Sequence, residues 1–176
     1  KRNNLVSEQR SIFDVLFGSS EKKVSGQTWE LRVDGASRGN PGDSGAGVYI
    51  KKGDDVFLKK GFYLGKGTNN RAEYLALLLG VFYLKKEMKP EDTVVLMSDS
   101  QLVIRQLEGA YKVKNADLKP FYLAICNELT QLNHSFKHIE REYNTTADAL
   151  ANHGVDTKAS LPIKFLAMLQ AYEIYL

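Results

Sequence analysis

Apolar positions along the chain change their spacing several times, and each change marks an element. Trp29, Leu31 and Val33 recur at every second position between Gln27 and Asp34, which reads as a first strand. Ser44 to Lys52 and Val56 to Leu64 read as a second and a third strand, with Gly53-Asp54-Asp55 as the turn between them. Asn69 to Met88 carries Ala72, Leu75, Ala76, Leu78, Leu79, Phe82 and Tyr83 at helical spacing, and Pro90 follows its end. Thr93 to Met97 is short and nearly all apolar, as in a strand buried on both faces. Ser100 to Leu107 predicts a second helix stopped by Gly109, and Asp117 to Leu132 a third. Ser135 to Glu142 predicts a fifth strand, and Asn144 to Val155 a fourth helix.

Three strands joined by short turns, followed by alternating strands and helices, predict an α/β fold. Its sheet is five-stranded and mixed, an antiparallel meander plus parallel strands, flanked by helices. Two apolar segments flank that unit. Ile12, Phe13, Leu16 and Phe17 predict a short helix in an N-terminal appendage, residues 1–26. Ile163, Phe165, Leu166, Met168, Leu169 and Tyr172 give residues 157–176 the look of an apolar tail that packs on the core or on a second subunit. Residues 27–156 are then the central domain. The two flanking segments suggest a monomer, or a weak homodimer formed through them.

Composition narrows the class. The chain has 176 residues, 43% hydrophobic and 26% charged, ordinary for a soluble globular domain with a sizeable core. No apolar run is long enough to span a membrane, so a cytoplasmic protein without a membrane partner is expected. The single cysteine, Cys126, lies among Phe121, Leu123, Ile125 and Leu129 and reads as a buried structural thiol. The net charge of +3, from 24 basic and 21 acidic residues, is too mild to announce a nucleic-acid binder. Paired lysines, such as Lys51-Lys52 and Lys59-Lys60, read as solvated element ends or as a few phosphate contacts.

Four carboxylates carry candidate chemistry, and each has a plain alternative. Glu73, in Asn70-Arg71-Ala72-Glu73, can close a capping box. Asp99 can cap the helix after Met97-Ser98. Asp148 lies in the first turn of its helix, where the dipole favours an anion. Asp34 is read as ending its strand before the Gly-rich stretch Gly35 to Gly47; no helix start explains it, and its plain alternative is a turn-forming Asp. Together they form a stronger pattern. Open α/β sheets bind ligands beyond the carboxyl ends of their strands, where several acids require a neutralising cation. Oxygen donors without Cys or His select Mg²⁺ or Mn²⁺, and two such ions suit phosphodiester hydrolysis.

Five ordered motifs between about residues 28 and 156 resemble type 1 ribonuclease H. They are Asp34-Gly35-Ala36-Ser37-Arg38-Gly39-Asn40-Pro41-Gly42, Thr68-Asn69-Asn70-Arg71-Ala72-Glu73, Ser98-Asp99-Ser100-Gln101, Val113-Lys114-Asn115-Ala116-Asp117-Leu118, and Asn144 to Asn152 with Asp148. The resemblance implies the RNase H-like fold. It also implies endonucleolytic hydrolysis of the RNA strand of RNA–DNA hybrids with two Mg²⁺, for which Mn²⁺ can substitute, leaving 3′-hydroxyl and 5′-phosphate ends. Asp34, Glu73, Asp99 and Asp148 match the family's metal-binding catalytic acids. Gly35, Arg38, Asn40, Thr68, Asn69, Gln101 and Asn115 match substrate-binding positions. Among these, Asn40, Thr68 and Asn115 match residues that hold the DNA strand or its phosphate, and Asn69 and Gln101 match residues that read the RNA minor groove.

Two departures place the chain in a shorter-loop branch. The link Arg141-Glu142-Tyr143-Asn144-Thr145 lacks the histidine of many relatives, and Glu108 to Asn115 is too short for a basic protrusion. Double-stranded RNA is a secondary substrate on this reading, since both duplexes present 2′-hydroxyls in a wide minor groove. The competing readings are a 3′–5′ exonuclease, which Ala36 disfavours where that class has a second acid, a DNA transposase-type enzyme, and a non-catalytic or weakly active nucleic-acid-binding module.

Overall fold

The computed structural model describes residues 26–176, so the helix expected around Ile12 to Phe17 lies outside the described residues. Five strands form one mixed sheet: β1 (Thr28–Gly39), β2 (Gly42–Lys52), β3 (Asp55–Gly67), β4 (Thr93–Ser98) and β5 (Asn133–His138). The order across the sheet is β3-β2-β1-β4-β5. The first three strands pair antiparallel, while β4 runs parallel to both β1 and β5. The helices are α1 (Asn69–Glu87), α2 (Gln101–Leu107), α3 (Lys119–Leu129), α4 (Thr145–Thr157) and α5 (Ile163–Ala171). A 3₁₀ turn, Arg141–Tyr143, precedes α4. This is the expected fold class. Among the described residues, no helix is long and apolar enough to cross a membrane.

Glycines let helices approach the sheet. A Cβ at Gly35 of β1 would lie 2.2 Å from the Glu73 amide of α1, so the start of α1 rests against the β1 backbone. A Cβ at Gly47 of β2 would lie 1.9 Å from the Ala147 carbonyl of α4. Gly35 pairs with Ala46, and side chains alternate along a strand, so Gly35 and Gly47 face opposite sides. Helices α1 and α4 therefore sandwich the sheet. Replacing Gly47 by Ala should push α4 away and cost about 1–3 kcal/mol, the usual range for overpacking. Urea unfolding of the variant measures this, and an unchanged midpoint would contradict the contact.

Several boundaries differ from the expectation, each for a reason outside its own segment. Strand β1 does not end at Asp34 but runs to Gly39, because β2 pairs with it as far as Gly42. The Gly-rich stretch is thus a tight hairpin, with Gly39 at φ 108° in the region that favours glycine. Strand β5 stops at His138 rather than Glu142. The Ile139 amide donates to the Ser98 carbonyl, and beyond Ser98 the neighbouring chain has turned toward α2. Helix α3 is shorter than the apolar pattern suggested, ending at Leu129. Cys126 is half-buried rather than buried, one step round α3 from the fully buried Ile125.

The segment after α4 packs on the core. Phe165 and Leu169 of α5 and the following Ile174 are buried, and the Phe165 ring meets Phe82 of α1 edge-on at 5.3 Å. Tyr172 donates through its hydroxyl to Glu128 of α3 at 2.5 Å.

Candidate active site

The parallel ladder between β1 and β4 ends at the pair Arg32–Met97. Two residues further on each strand bring Asp34 and Asp99 side by side, past the last rung. The hydroxyl of Ser100, not Asp99, caps α2, accepting from the Val103 amide. That leaves the Asp99 carboxylate free of capping duty. Glu73 arrives from α1 through the space that Gly35 leaves. It closes no capping box either: Thr68 is the cap, accepting from the Arg71 amide at 3.3 Å. One carboxylate oxygen each from Asp34, Glu73 and Asp99 lies within 4.8 Å of the others.

This triad is partly closed to water. Asp34 is 6% exposed and Glu73 7%, and Glu73 Oε2 is buried without a hydrogen-bond partner among the described residues. Burial, and then the charges of Asp99 and Asp148, push the Asp34 carboxyl up to about 7. Burial and the charges of Asp34 and Asp99 hold the Glu73 carboxyl well above the usual carboxylate range. A triad of oxygen donors, one of them orphaned and all short of positive charge, fits a hard divalent cation. Asp148 stands on the wall of the same cleft, of about 510 Å³, but outside the close triad. The Arg141 guanidinium holds it at 3.3 Å.

A second cleft, of about 660 Å³, opens beside the first. Asn40, Thr68 and Asn115 line it, and Asn69 lines both. The Asn40 side-chain oxygen accepts from the Asn69 amide at 3.2 Å, which ties the β1–β2 hairpin to the start of α1. Gly35 lies in the first cleft. Arg38 and Gln101 line neither cleft. Arg38 pairs instead with Asp156 at 2.5 Å, and Gln101 is exposed at the start of α2.

Three residues at the acidic cleft had no role assigned from the sequence. Asn144 is fully buried, and its amide donates to Asp99 Oδ1 and to the Val33 carbonyl, both at 2.9 Å. It fixes Asp99 against β1. His138, at the end of β5, places Nε2 3.2 Å from the Asp99 carbonyl. Arg141 pairs with Asp148 as described. Asn144 opens the last motif, and that position was the available signal. The approach of His138 depends on parallel pairing of β5 with β4, which no local pattern encodes.

A family profile described as "Reverse transcriptase-like" matches residues 32–154. A bifunctional protein of Mycobacterium tuberculosis is 37% identical over 134 residues, which cover 73% of this chain and 36% of that relative. The chain thus spans about a third of that relative's length. A ribonuclease H of Pseudomonas entomophila is 35% identical over 146 residues, covering 72% of this chain and 93% of the relative. Among solved structures, LC11-RNase H1 in complex with an RNA/DNA hybrid superposes with a TM-score of 0.69 at 35% identity. That match covers 73% of this chain and 97% of the other. With the fold, the acidic cleft and these relatives in agreement, the chain belongs to the type 1 ribonuclease H family.

Proposed function

We propose that the protein is an endoribonuclease that hydrolyses the RNA strand of RNA–DNA hybrids. The observation that carries this reading is the triad Asp34, Glu73 and Asp99, the first two buried, with Asp148 beside it. These four acids would hold two Mg²⁺, or Mn²⁺ in their place. When bound, such ions neutralise the cluster, activate a water and stabilise the leaving oxygen. Water adds across the bond between phosphorus and the 3′-oxygen, leaving 3′-hydroxyl and 5′-phosphate ends.

The chain's own groups supply position. Asn144 orients Asp99, and Arg141 restrains Asp148. Gly35 admits Glu73, which can also accept from a 2′-hydroxyl and so favour RNA over DNA. Asn40, Thr68 and Asn115 would seat the DNA strand along the second cleft. Asn69, shared by both clefts, suits a residue that meets the RNA minor groove near the cut. Gln101 would read the same groove from the exposed start of α2. Arg38, paired with Asp156, would reach the duplex only from outside the two clefts.

A substrate panel tests the assignment. With Mg²⁺, the protein should cleave an RNA–DNA hybrid fastest, double-stranded RNA more slowly and single-stranded DNA not at all. Preferential cleavage of DNA, or no cleavage of any of the three, would overturn it.

A further inference from the structure

The segment that follows α5 does more than cover the core. Helix α5 ends in a left-handed residue, Glu173 at φ 57°. The Glu173 amide donates to the Gln170 carbonyl, and the Ile174 amide to the Leu169 carbonyl at 2.9 Å. That pair of bonds is a Schellman turn, sealed by the two buried side chains Leu169 and Ile174. The turn throws the next residue, Tyr175, onto the wall of the second cleft. There the Tyr175 carbonyl accepts from Arg71 Nη2. The Arg71 guanidinium also lies over the Phe121 ring, 5.6 Å from its centroid. Arg71 is thereby fixed from two directions on the cleft that Asn40, Thr68 and Asn115 line. Tyr175 itself remains 72% exposed at that rim.

We propose that Arg71 and Tyr175 form an added wall of the nucleic-acid groove, Arg71 taking a backbone phosphate and the Tyr175 ring stacking on the adjoining sugar or base. The proposal rests on the hybrid-cleavage reading and extends its substrate site beyond residues 27–156. The chemistry fits the groups. A guanidinium has a rigid fork of five N–H donors, and here a ring and one carbonyl occupy only part of it. An aromatic ring at the edge of a groove stacks on bases without sequence preference. Lys66 adds a second cation to this cleft, but Asp117 and Glu173 line it too. The cleft is therefore not a general cationic trough. Its affinity must come from placed contacts, which a fixed turn can supply and a loose tail cannot.

The test is steady-state cleavage of a labelled hybrid with Mg²⁺, beside hybrid binding by fluorescence anisotropy in chelator. Tyr175→Ala should raise both KM and Kd about tenfold, within the usual range for a stacked aromatic, and leave kcat unchanged. Tyr175→Phe should restore wild-type values. Arg71→Ala should lower the slope of log affinity against log salt by about one, as for one lost phosphate contact. Tyr175 is exposed, so its truncation should leave the fold intact, and a circular dichroism melt of the variant checks this. If Tyr175→Ala binds hybrid as the wild type does, the added wall is refuted. If it binds tighter, the segment obstructs the groove, and the proposal is equally refuted. If the wild type neither binds nor cleaves hybrid, the functional reading falls along with it.

Discussion

Asp99→Asn is expected to lower Mg²⁺-dependent hybrid cleavage by about a thousandfold or more, with hybrid affinity nearly unchanged. The size follows from the few kcal/mol that a metal centre contributes to the barrier, at about 1.4 kcal/mol per tenfold. The substitution is nearly isosteric. Asn144 can still donate to the remaining side-chain oxygen, so the link to β1 survives. What is lost is one of three carboxylates whose oxygens converge within 4.8 Å. The substrate contacts proposed for Asn40, Thr68 and Asn115 lie in the neighbouring cleft, which the substitution does not touch. Single-turnover cleavage and anisotropy separate the two effects. Wild-type cleavage rates in Asp99→Asn would remove the triad from the chemistry.

The second large effect is on stability without metal. The Asp34 carboxyl rises from 3.8 to about 7 on folding, through burial first and the Asp99 and Asp148 charges next. Over that window the folded state keeps a proton that the unfolded chain releases. The Asp34 contribution to stability is therefore fullest below pH 3.8 and declines as pH rises toward 7, by up to about 4 kcal/mol at 1.36 kcal/mol per unit. Glu73 acts in the same direction. In chelator, Asp34→Asn should be markedly more stable than wild type at pH 8, and the gap should shrink at pH 4. Urea midpoints at the two pH values measure it. Saturating Mg²⁺ at pH 8 should raise the wild-type midpoint, since ligand binding to the folded state alone stabilises it by mass action, and should do so far less for Asp34→Asn. Equal stability of the two proteins at both pH values would contradict the electrostatic picture.

The same residues explain what could be read from the chain and what could not. The number of strands and their succession along the chain were legible because β1 to β4 carry clear local patterns, whereas β5, which buries no residue, was the weakest signal. Asp34, Glu73, Asp99 and Asp148 were legible as candidates because they recur in ordered motifs, although each had an adequate local role. The structure removes two of those roles, since Thr68 and Ser100 do the capping that Glu73 and Asp99 were candidates for. Strand ends were poorly legible, because they depend on where a partner strand stops. Asp34 illustrates this. It lies within β1 rather than at its end, yet still beyond the last parallel rung with β4. The clustering of Asp34 with Asp99 comes from that register, and the entry of Glu73 from a missing side chain on Gly35. Neither is a property of one segment. Tyr175 was illegible for the same reason. Its place beside Arg71, 104 positions away in sequence, depends on the docking of α5 and the turn at Glu173.

The role proposed for the Asp34, Glu73 and Asp99 cluster is that of a metal-dependent centre for cutting RNA paired to DNA. A hybrid labelled separately on each strand, incubated with the wild-type protein in Mg²⁺ and in chelator, tests it most directly. The predicted result is an RNA ladder with 3′-hydroxyl and 5′-phosphate ends, an intact DNA strand, and no cleavage in chelator. Cleavage of the DNA strand, or RNA cleavage undiminished by chelator, would contradict it.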